Sequence, residues 1–192
     1  MYQRPHQLSR VMLHTFDKIV FIQPSGLRSI RPRDLFRVLL WIKNKFQNPS
    51  NLPSNSISNC ADNCFSLCSP LFFPFNGHTW ADSLNGWICW KVLYKHLLEA
   101  QDVFFWVSAP FPYLPYLLSH IPSEIHLIYD LIDDYRLFHP NAVRLFEIEE
   151  QLVQQADVVF ASSKKLLTKA SGLRSNQNVA LLSNGVDPVH WQ

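Results

Sequence analysis

Apolar residues follow two alternating patterns along the chain. Helical spacing predicts helices at residues 5–16, 34–46, 87–99 and 141–156. It predicts a fifth helix that Ser163 caps, that runs to about Ser171 and that Gly172 ends. Continuous apolar runs predict strands at residues 18–24, 102–109, 125–132, 157–163 and 178–183. Such strands separated by helices are typical of a parallel sheet covered on both faces. The pattern therefore predicts a doubly wound α/β fold.

The size of the chain fits one domain. Its 192 residues, 47% of them hydrophobic, can build a core of ordinary size, but not two full domains. Residues 48–59, "NPSNLPSNSISN", are rich in Ser, Asn and Pro. This composition predicts a loop, and we expect an irregular insertion over residues 48–86 within a domain that spans residues 1–183.

A cysteine cluster in this loop is a candidate metal site. Cys60, Cys64 and Cys68 are separated by three-residue gaps. Structural zinc normally takes four ligands, and the nearby candidates for a fourth, His78 and Cys89, have unsuitable spacing. We expect reduced thiols in a surface loop and no metal site.

Charge is distributed unevenly along the chain. Residues 1–50 carry nine Lys/Arg against two Asp/Glu, whereas the remainder carries eight against thirteen. The basic clusters are not dense enough to predict nucleic-acid binding. A phosphorylated ligand or an anionic membrane surface fits better, with peripheral membrane contact through the basic segment 28–45. The alternative for the helix at 34–46 is a core helix with a solvated polar face.

The sequence predicts a cytoplasmic protein. The first residues, "MYQRPHQLSRVMLHTF", lack the apolar stretch and the cleavage site of a signal peptide. Residues 103–123 carry no charge over 21 positions, which is the length of a membrane span, but they contain Pro110, Pro112, Pro115 and Pro122. Proline interrupts a helix, so a buried strand followed by an apolar loop or a short helix is the better prediction.

Polar residues follow four of the predicted strands. In "HLIYDLIDDYRLF", residues 126–138, three carboxylates come after an apolar run: Asp130, Asp133 and Asp134. Ser108, Ser162, Ser163 and Asn184 follow other strands. Because ligands of a parallel sheet bind at the carboxyl ends of its strands, we expect these residues on the ligand-binding rim and not in the core.

Several roles are open for these rim residues. Ser162 or Ser163 could cap a helix, and Asp133 or Asp134 could cap the turn that follows the strand. The two neighbouring aspartates could also supply a general base that activates a hydroxyl, or hold magnesium through oxygen ligands. The spacing of the residues does not choose among these roles.

Four ordered stretches resemble one family. They are "YQRPHQLSR", "LIYDLIDDYRLF", "EEQLVQQADVVFASSKKL" and "LLSNGVDPVHW". Together they resemble the amino-terminal half of bacterial GT-B fold glycosyltransferases, family 4-like, of the teichuronic acid biosynthesis type. The resemblance covers most of residues 2–191, apart from the loop at 48–86.

The resemblance implies a fold and a set of roles. Family members have two Rossmann-like domains, of which the first binds the acceptor and the second binds the nucleotide-sugar donor. This chain would supply the acceptor-side domain, and residues 184–192 would begin the interdomain linker. The implied acceptor-binding residues are Arg4, His6, Ser108, Asp130, Ser162 and Ser163. The implied linker residues are Asn184, Gly185 and Asp187, and a catalytic base would be Asp133 or Asp134.

The chain also departs from the family pattern. Met1 stands just before the helix that carries "QRPH", so the first strand of the family fold is expected to be missing. The donor domain is likewise expected to be absent, and a UDP- or GDP-sugar would bind only to the complete enzyme, without a metal. The expected partners are a glycan or lipid-linked acceptor and a separate donor-domain chain.

Three functions compete at this point. The first is transfer of a sugar to a cell-envelope polysaccharide or its lipid-linked precursor, by an enzyme of which this chain is an incomplete part unable to catalyse alone. The second is a noncatalytic module that binds an acceptor or a partner. The third is an unrelated α/β protein that uses the cysteines or the aspartates to hold a metal.

Overall fold

The chain forms two compact units. The structure, a computed structural model, describes residues 4–22, 65–68, 78–138, 142–174 and 178–185. The first unit comprises Met1–Glu99 and Pro115–His120, and the second comprises Ala100–Leu114 and Ile121–Gln192. The chain therefore crosses between the units more than once.

The described part of the first unit contains a parallel pair of strands, and a short and a long helix precede and follow them in the chain. Helix α1 (Arg4–Met12) is followed by strand β1 (Ile19–Ile22), strand β2 (Phe65–Cys68) and helix α2 (Thr79–Leu97). The two strands pair in register from Ile19 opposite Phe65 to Ile22 opposite Cys68. The two strands therefore run in the same direction, although 42 residues separate them in the chain.

A glycine lets α2 pack closely within the first unit. A Cβ atom built on Gly86 would lie 2.6 Å from Cβ of Tyr116 and 2.7 Å from its Cγ. These distances are shorter than a van der Waals contact, so no larger side chain fits without movement of Tyr116. This contact explains a glycine inside a helix, where it is normally destabilising by about 1 kcal/mol.

The second unit contains a four-stranded parallel sheet. Its strands are β3 (Phe104–Val107), β4 (His126–Leu131), β5 (Val158–Ala161) and β6 (Val179–Leu181). Helix α3 (Leu114–Leu118) lies between β3 and β4 in the chain. Helices α4 (Tyr135–Phe138) and α5 (Val143–Gln155) follow β4, and α6 (Lys164–Leu173) follows β5. The strand order is β3-β4-β5-β6. Consecutive strands are therefore neighbours throughout this sheet.

The core of this unit lies between the sheet and helices α5 and α6. Tyr129 and Leu131 of β4 and Val159 of β5 are completely buried. Helix α5 contacts β4, and α6 contacts β5 and β6. The helices cover these strands with Leu152, Val153, Leu166 and Ala170. Burying one such large aliphatic side chain contributes about 1.5–3 kcal/mol, so the contact of helix and sheet holds the strand ends in place.

The predicted α/β class with a parallel sheet is confirmed, and the arrangement is consistent with a Rossmann-like fold. The doubly wound order is not seen among the described residues. A doubly wound sheet needs a reversal of strand order, and this sheet adds each strand on the same side. Since crossovers are right-handed, a one-way order places successive crossover helices on one face.

Three predicted boundaries are wrong. The predicted loop at 48–86 contains β2 and the beginning of α2, which starts at Thr79 and not at residue 87. This start was missed because α2 buries Asp82 and Asn85, which are typical of a loop in the sequence. Gly172 does not end α6, which continues to Leu173 with Arg174 as its C-cap. The helix predicted at 34–46 lies outside the described residues.

The apolar segment 103–123 does not form one continuous helix, as its prolines predict. It forms β3 and the short helix α3, with Pro115 in the first turn of α3, where a missing backbone N–H is tolerated. The predicted strand is present, and of the two predicted continuations the short helix is the one that occurs, but only Val107 of the strand is buried.

Within the described ranges, no helix has both the length and the apolar character to cross a bilayer.

Candidate functional site

The carboxyl ends of β3, β4 and β5 form one edge of the sheet in the second unit. Asp130 does not lie on this edge as predicted. Strand β4 continues to Leu131, and Asp130 pairs in register with Phe160 at the centre of the sheet. Its exposed fraction is 0%, so its predicted position on the rim, outside the core, is wrong. Asp130 was misplaced because it was assigned to the rim as a charged residue, although the predicted strand at 125–132 already included it.

The two aspartates after β4 have different surroundings. Asp133 is exposed and makes no hydrogen bond or ion pair with the described residues. The side chain of Asp134 is only 17% exposed, and its oxygens lie 3.3 Å from Nζ of Lys169 and 3.7 Å from Nζ of Lys165. Its carboxylate also accepts a hydrogen bond from the backbone N–H of Arg136. Asp134 therefore caps the turn that begins α4, one of the roles left open by the sequence.

The charges around Asp134 keep it ionised. Partial burial by itself raises the pKa of Asp134, but the hydrogen bond from Lys169 and the charges of Lys169 and Lys165 outweigh this effect. The net result is a pKa below its ordinary value. A carboxylate with a lowered pKa is a weaker proton acceptor, so Asp134 is poorly suited to act as a general base.

Lys169 joins Asp134 to a buried carboxylate. Its ammonium group donates a second hydrogen bond to Oε1 of Glu149, whose exposed fraction is 1%. Glu149 lies in α5 and Lys169 lies in α6, so this contact connects the two helices that cover the sheet. We call Asp134, Glu149, Lys165 and Lys169 the rim ion cluster. A buried carboxylate requires such a partner, because an unpaired charge in the interior is strongly destabilising.

Two buried polar atoms lie behind this cluster. The hydroxyl of Tyr129 and Oε2 of Glu149 have no hydrogen-bond partner among the described residues. Burial raises the pKa of Tyr129 well above its ordinary value, and the charge of Glu149 raises it further. The phenol therefore stays protonated and remains a hydrogen-bond donor.

The serines on this edge have structural contacts. The Oγ of Ser162 donates a hydrogen bond of 2.6 Å to the carbonyl oxygen of Ile132, which ties the end of β5 to the end of β4. Ser163 is the N-cap of α6, and its Oγ accepts from the backbone N–H of Leu166 at 3.4 Å. The predicted cap is confirmed for Ser163.

A tyrosine fixes the loop that carries the aspartates. The hydroxyl of Tyr135 donates to the carbonyl oxygen of Ser108 at 3.3 Å, which ties the loop after β4 to the end of β3. Burial, and next the charge of Asp133, raise the pKa of Tyr135 far above its ordinary value, so the hydroxyl keeps its proton. The three strand ends are therefore joined by side-chain hydrogen bonds from Tyr135 and Ser162.

The remaining predicted residues follow β6, which runs parallel to β5, or belong to the first unit. Asn184 and Gly185 are exposed after β6, and Asp187 lies outside the described residues. Arg4 and His6 lie in the first turns of α1, in the first unit.

Sequence reasoning missed Glu149, Lys169 and Tyr135. A signal for Glu149 was present, because it falls on the apolar face of α5 beside Leu145 and Leu152. Charged residues on the apolar face of a helix indicate a buried pair, because an isolated charge cannot remain there. Its partner could not be chosen from sequence, since several lysines follow in α6.

Among the described residues, no group of three or more His, Cys, Asp or Glu side chains is arranged to hold a metal ion. Cys60 and Cys64 lie outside these residues. Cys68 belongs to β2 and not to a loop, and Cys89 is buried in α2. The described cysteines are thus located in secondary structure.

Comparison with protein-family models, with curated proteins and with solved structures finds no match to this chain.

Proposed function

We propose that this chain is the acceptor-side portion of a GT-B glycosyltransferase, family 4-like, that transfers a sugar from a nucleotide-sugar to a glycan or lipid-linked acceptor of the cell envelope. The proposal rests on the four ordered stretches that resemble this family. A parallel sheet with polar residues at the carboxyl ends of its strands supports it, because such edges bind ligands in α/β proteins.

The observation that carries the proposal is the difference between Asp133 and Asp134. Glycosyl transfer requires removal of a proton from the attacking hydroxyl, and a carboxylate that can approach the acceptor can accept it. Asp133 is exposed on the rim, whereas Asp134 is occupied by Lys165, Lys169 and the turn of α4. We therefore assign the base to Asp133 and a positioning role to Asp134.

This division of roles fits the chemistry of the reaction. The departing nucleoside diphosphate must be stabilised by cationic side chains or helix N-termini, which the resemblance assigns to the donor-side half. The acceptor side needs only to bind the acceptor, orient its hydroxyl and remove the proton. The hydrogen bonds of Tyr135 and Ser162 hold the loop of Asp133 for this purpose.

Calorimetric titration tests the assignment of the chain to the acceptor side. UDP, GDP and their sugars are titrated into the purified chain, first alone and then with a separately produced donor domain. We expect no nucleotide binding by the chain alone, and binding with turnover once the donor half is present. Tight nucleotide binding by the chain alone would show that the wrong half of the enzyme has been assigned.

Activity of the reconstituted enzyme tests the role of Asp133. We expect Asp133→Asn to lower kcat by about 10²–10⁴-fold with an unchanged melting temperature, because a general base contributes this much. Glu150→Gln is the matched control, since it changes another exposed carboxylate of the same unit and should leave kcat unchanged. An Asp133→Asn enzyme with normal kcat would exclude the base. Acceptor binding without any turnover would favour the noncatalytic module.

A further inference from the structure

Helix α2 exposes large apolar side chains and buries small and polar ones. Asp82 and Asn85 are 2% and 0% exposed. In contrast, Trp80, Trp87 and Tyr94 are 58%, 46% and 48% exposed. A helix on the surface of a globular protein normally shows the opposite distribution. An exposed apolar face of this kind is typical of a surface that binds a partner or a membrane.

The exposed aromatic residues form one line along the helix. Trp80, Trp87 and Tyr94 are spaced by seven residues, which is close to two helical turns, so each lies about 10.5 Å beyond the last on the same face. Leu98, directly after the helix, is 69% exposed and extends the line by one further turn. We call these four residues the α2 stripe.

The charges beside the α2 stripe are positive. Lys91 and Lys95 are exposed on the same helix, and Nζ of Lys91 lies 5.4 Å from the ring centroid of Trp87. Asp82 is the acidic residue of α2, and it is buried. Glu99, beyond the helix, forms an ion pair of 3.3 Å with Lys18. The stripe is thus apolar and is flanked by cationic side chains.

We propose that the α2 stripe docks on the surface of an anionic lipid bilayer. Tryptophan and tyrosine prefer the boundary between lipid headgroups and acyl chains, because their rings are apolar and carry one polar group. Lysine side chains lay their methylene groups along the apolar layer and bring their charge to anionic headgroups. The exposed tryptophans, tyrosine and lysines of this face match that boundary. The residues of the stripe are other than those of the basic segment 28–45, and the inference does not depend on the proposed transferase activity.

Vesicle sedimentation of the full chain tests the proposal. We expect the wild-type chain to bind phosphatidylglycerol-rich vesicles and to bind pure phosphatidylcholine vesicles much more weakly at low salt. The variant Trp80→Ser/Trp87→Ser/Tyr94→Ser should bind the anionic vesicles at least about tenfold more weakly, because it removes most of the insertable apolar surface. Lys91→Gln/Lys95→Gln should weaken binding by about fivefold for each lysine removed.

Matched variants separate this surface from other sources of binding. Leu137→Ser/Phe138→Ser/Val143→Ser removes three apolar side chains that are 68%, 66% and 62% exposed in the second unit, and it should bind vesicles like the wild type. Arg28→Gln/Arg31→Gln/Arg33→Gln tests the basic segment separately. An α2 triple variant that binds as tightly as the wild type overturns the proposal, and so does a wild-type chain that binds no vesicles.

A second measurement does not depend on the disruptive triple variant. Brominated lipids quench tryptophan fluorescence at the depth of the bromine atoms, and we expect quenching of the wild-type chain that falls in Trp80→Phe/Trp87→Phe. Equal quenching in both proteins would exclude insertion of the stripe. Sedimentation velocity without lipid would detect a dimer, and a dimer lost in the triple variant with unchanged vesicle binding would assign the surface to a second copy of the chain instead.

Discussion

Glu149 and Glu150 are neighbours in α5, and each forms an ion pair across the second unit, yet the two pairs differ in burial. Glu149 is almost completely buried and shares Lys169 with Asp134. Glu150 and Arg136 form a pair of 2.6 Å on the surface, with side chains 40% and 51% exposed. The geometry of the exposed pair is good, but water solvates both of its charges.

Burial, more than distance, decides how much an ion pair contributes to the stability of the fold. Removing one partner of a buried pair leaves the other charge in a medium that cannot solvate it. Removing one partner of an exposed pair leaves a charge that water solvates again. Helix α5 therefore carries a structural carboxylate and a surface carboxylate in consecutive positions.

The largest expected effect comes from Lys169→Met. This change removes the cation that neutralises Glu149 and Asp134, and we expect the free energy of unfolding to fall by about 3–5 kcal/mol. Urea denaturation followed by circular dichroism measures this loss.

A second substitution sharpens this test. Glu149→Leu in the Lys169→Met background removes the stranded carboxylate, and we expect it to restore part of the lost stability, because an apolar replacement of a buried pair is often neutral. No loss of stability in Lys169→Met would mean that Glu149 is neutral or solvated in the folded protein.

A smaller loss of stability is expected when the pH is lowered and Asp134 becomes protonated. Its pKa is lower in the folded protein than its ordinary value of 3.8, so the unfolded chain binds the proton more readily. The stability that Asp134 contributes is therefore complete above about pH 5 and is lost as pH falls through the lower folded pKa. In Asp134→Asn, stability should be lower at neutral pH and should fall less steeply with acid. Urea midpoints measured between pH 2 and pH 7 report both changes, and parallel curves for the variant and the wild type would contradict the lowered pKa.

The smallest effect is expected from Arg136→Met at the exposed pair. We expect a loss of about 0.2–1 kcal/mol that decreases further at high salt. The guanidinium of Arg136 also lies 5.3 Å from the ring centroid of Phe146, and methionine retains apolar contact with that ring. Urea denaturation at low and high salt measures the change, and a loss as large as that of Lys169→Met would remove the distinction between the two pairs.

The sequence predicted some features of this site and missed others for identifiable reasons. Ser163 as a helix cap could be predicted, because the cap and the apolar run that follows are adjacent in the chain. Asp130 falls inside the predicted strand 125–132 but was assigned to the rim, because charged side chains are normally exposed and the sequence does not show that this one is buried. Lys169 was missed, because its partners are 20 and 35 residues away in the chain.

Local sequence patterns predict the alternation of strands and helices and the interruption of the apolar segment at its prolines. They also predict that Asp133 and Asp134 follow a strand. These features depend on residues close together in the chain, through side-chain periodicity and backbone geometry. The tertiary structure alone shows that Asp134 forms ion pairs with lysines of α6 while Asp133 is exposed. It also shows that Trp80 and Trp87 of α2 are exposed. Burial and charge pairing depend on which distant segments meet, and local patterns carry little of that information.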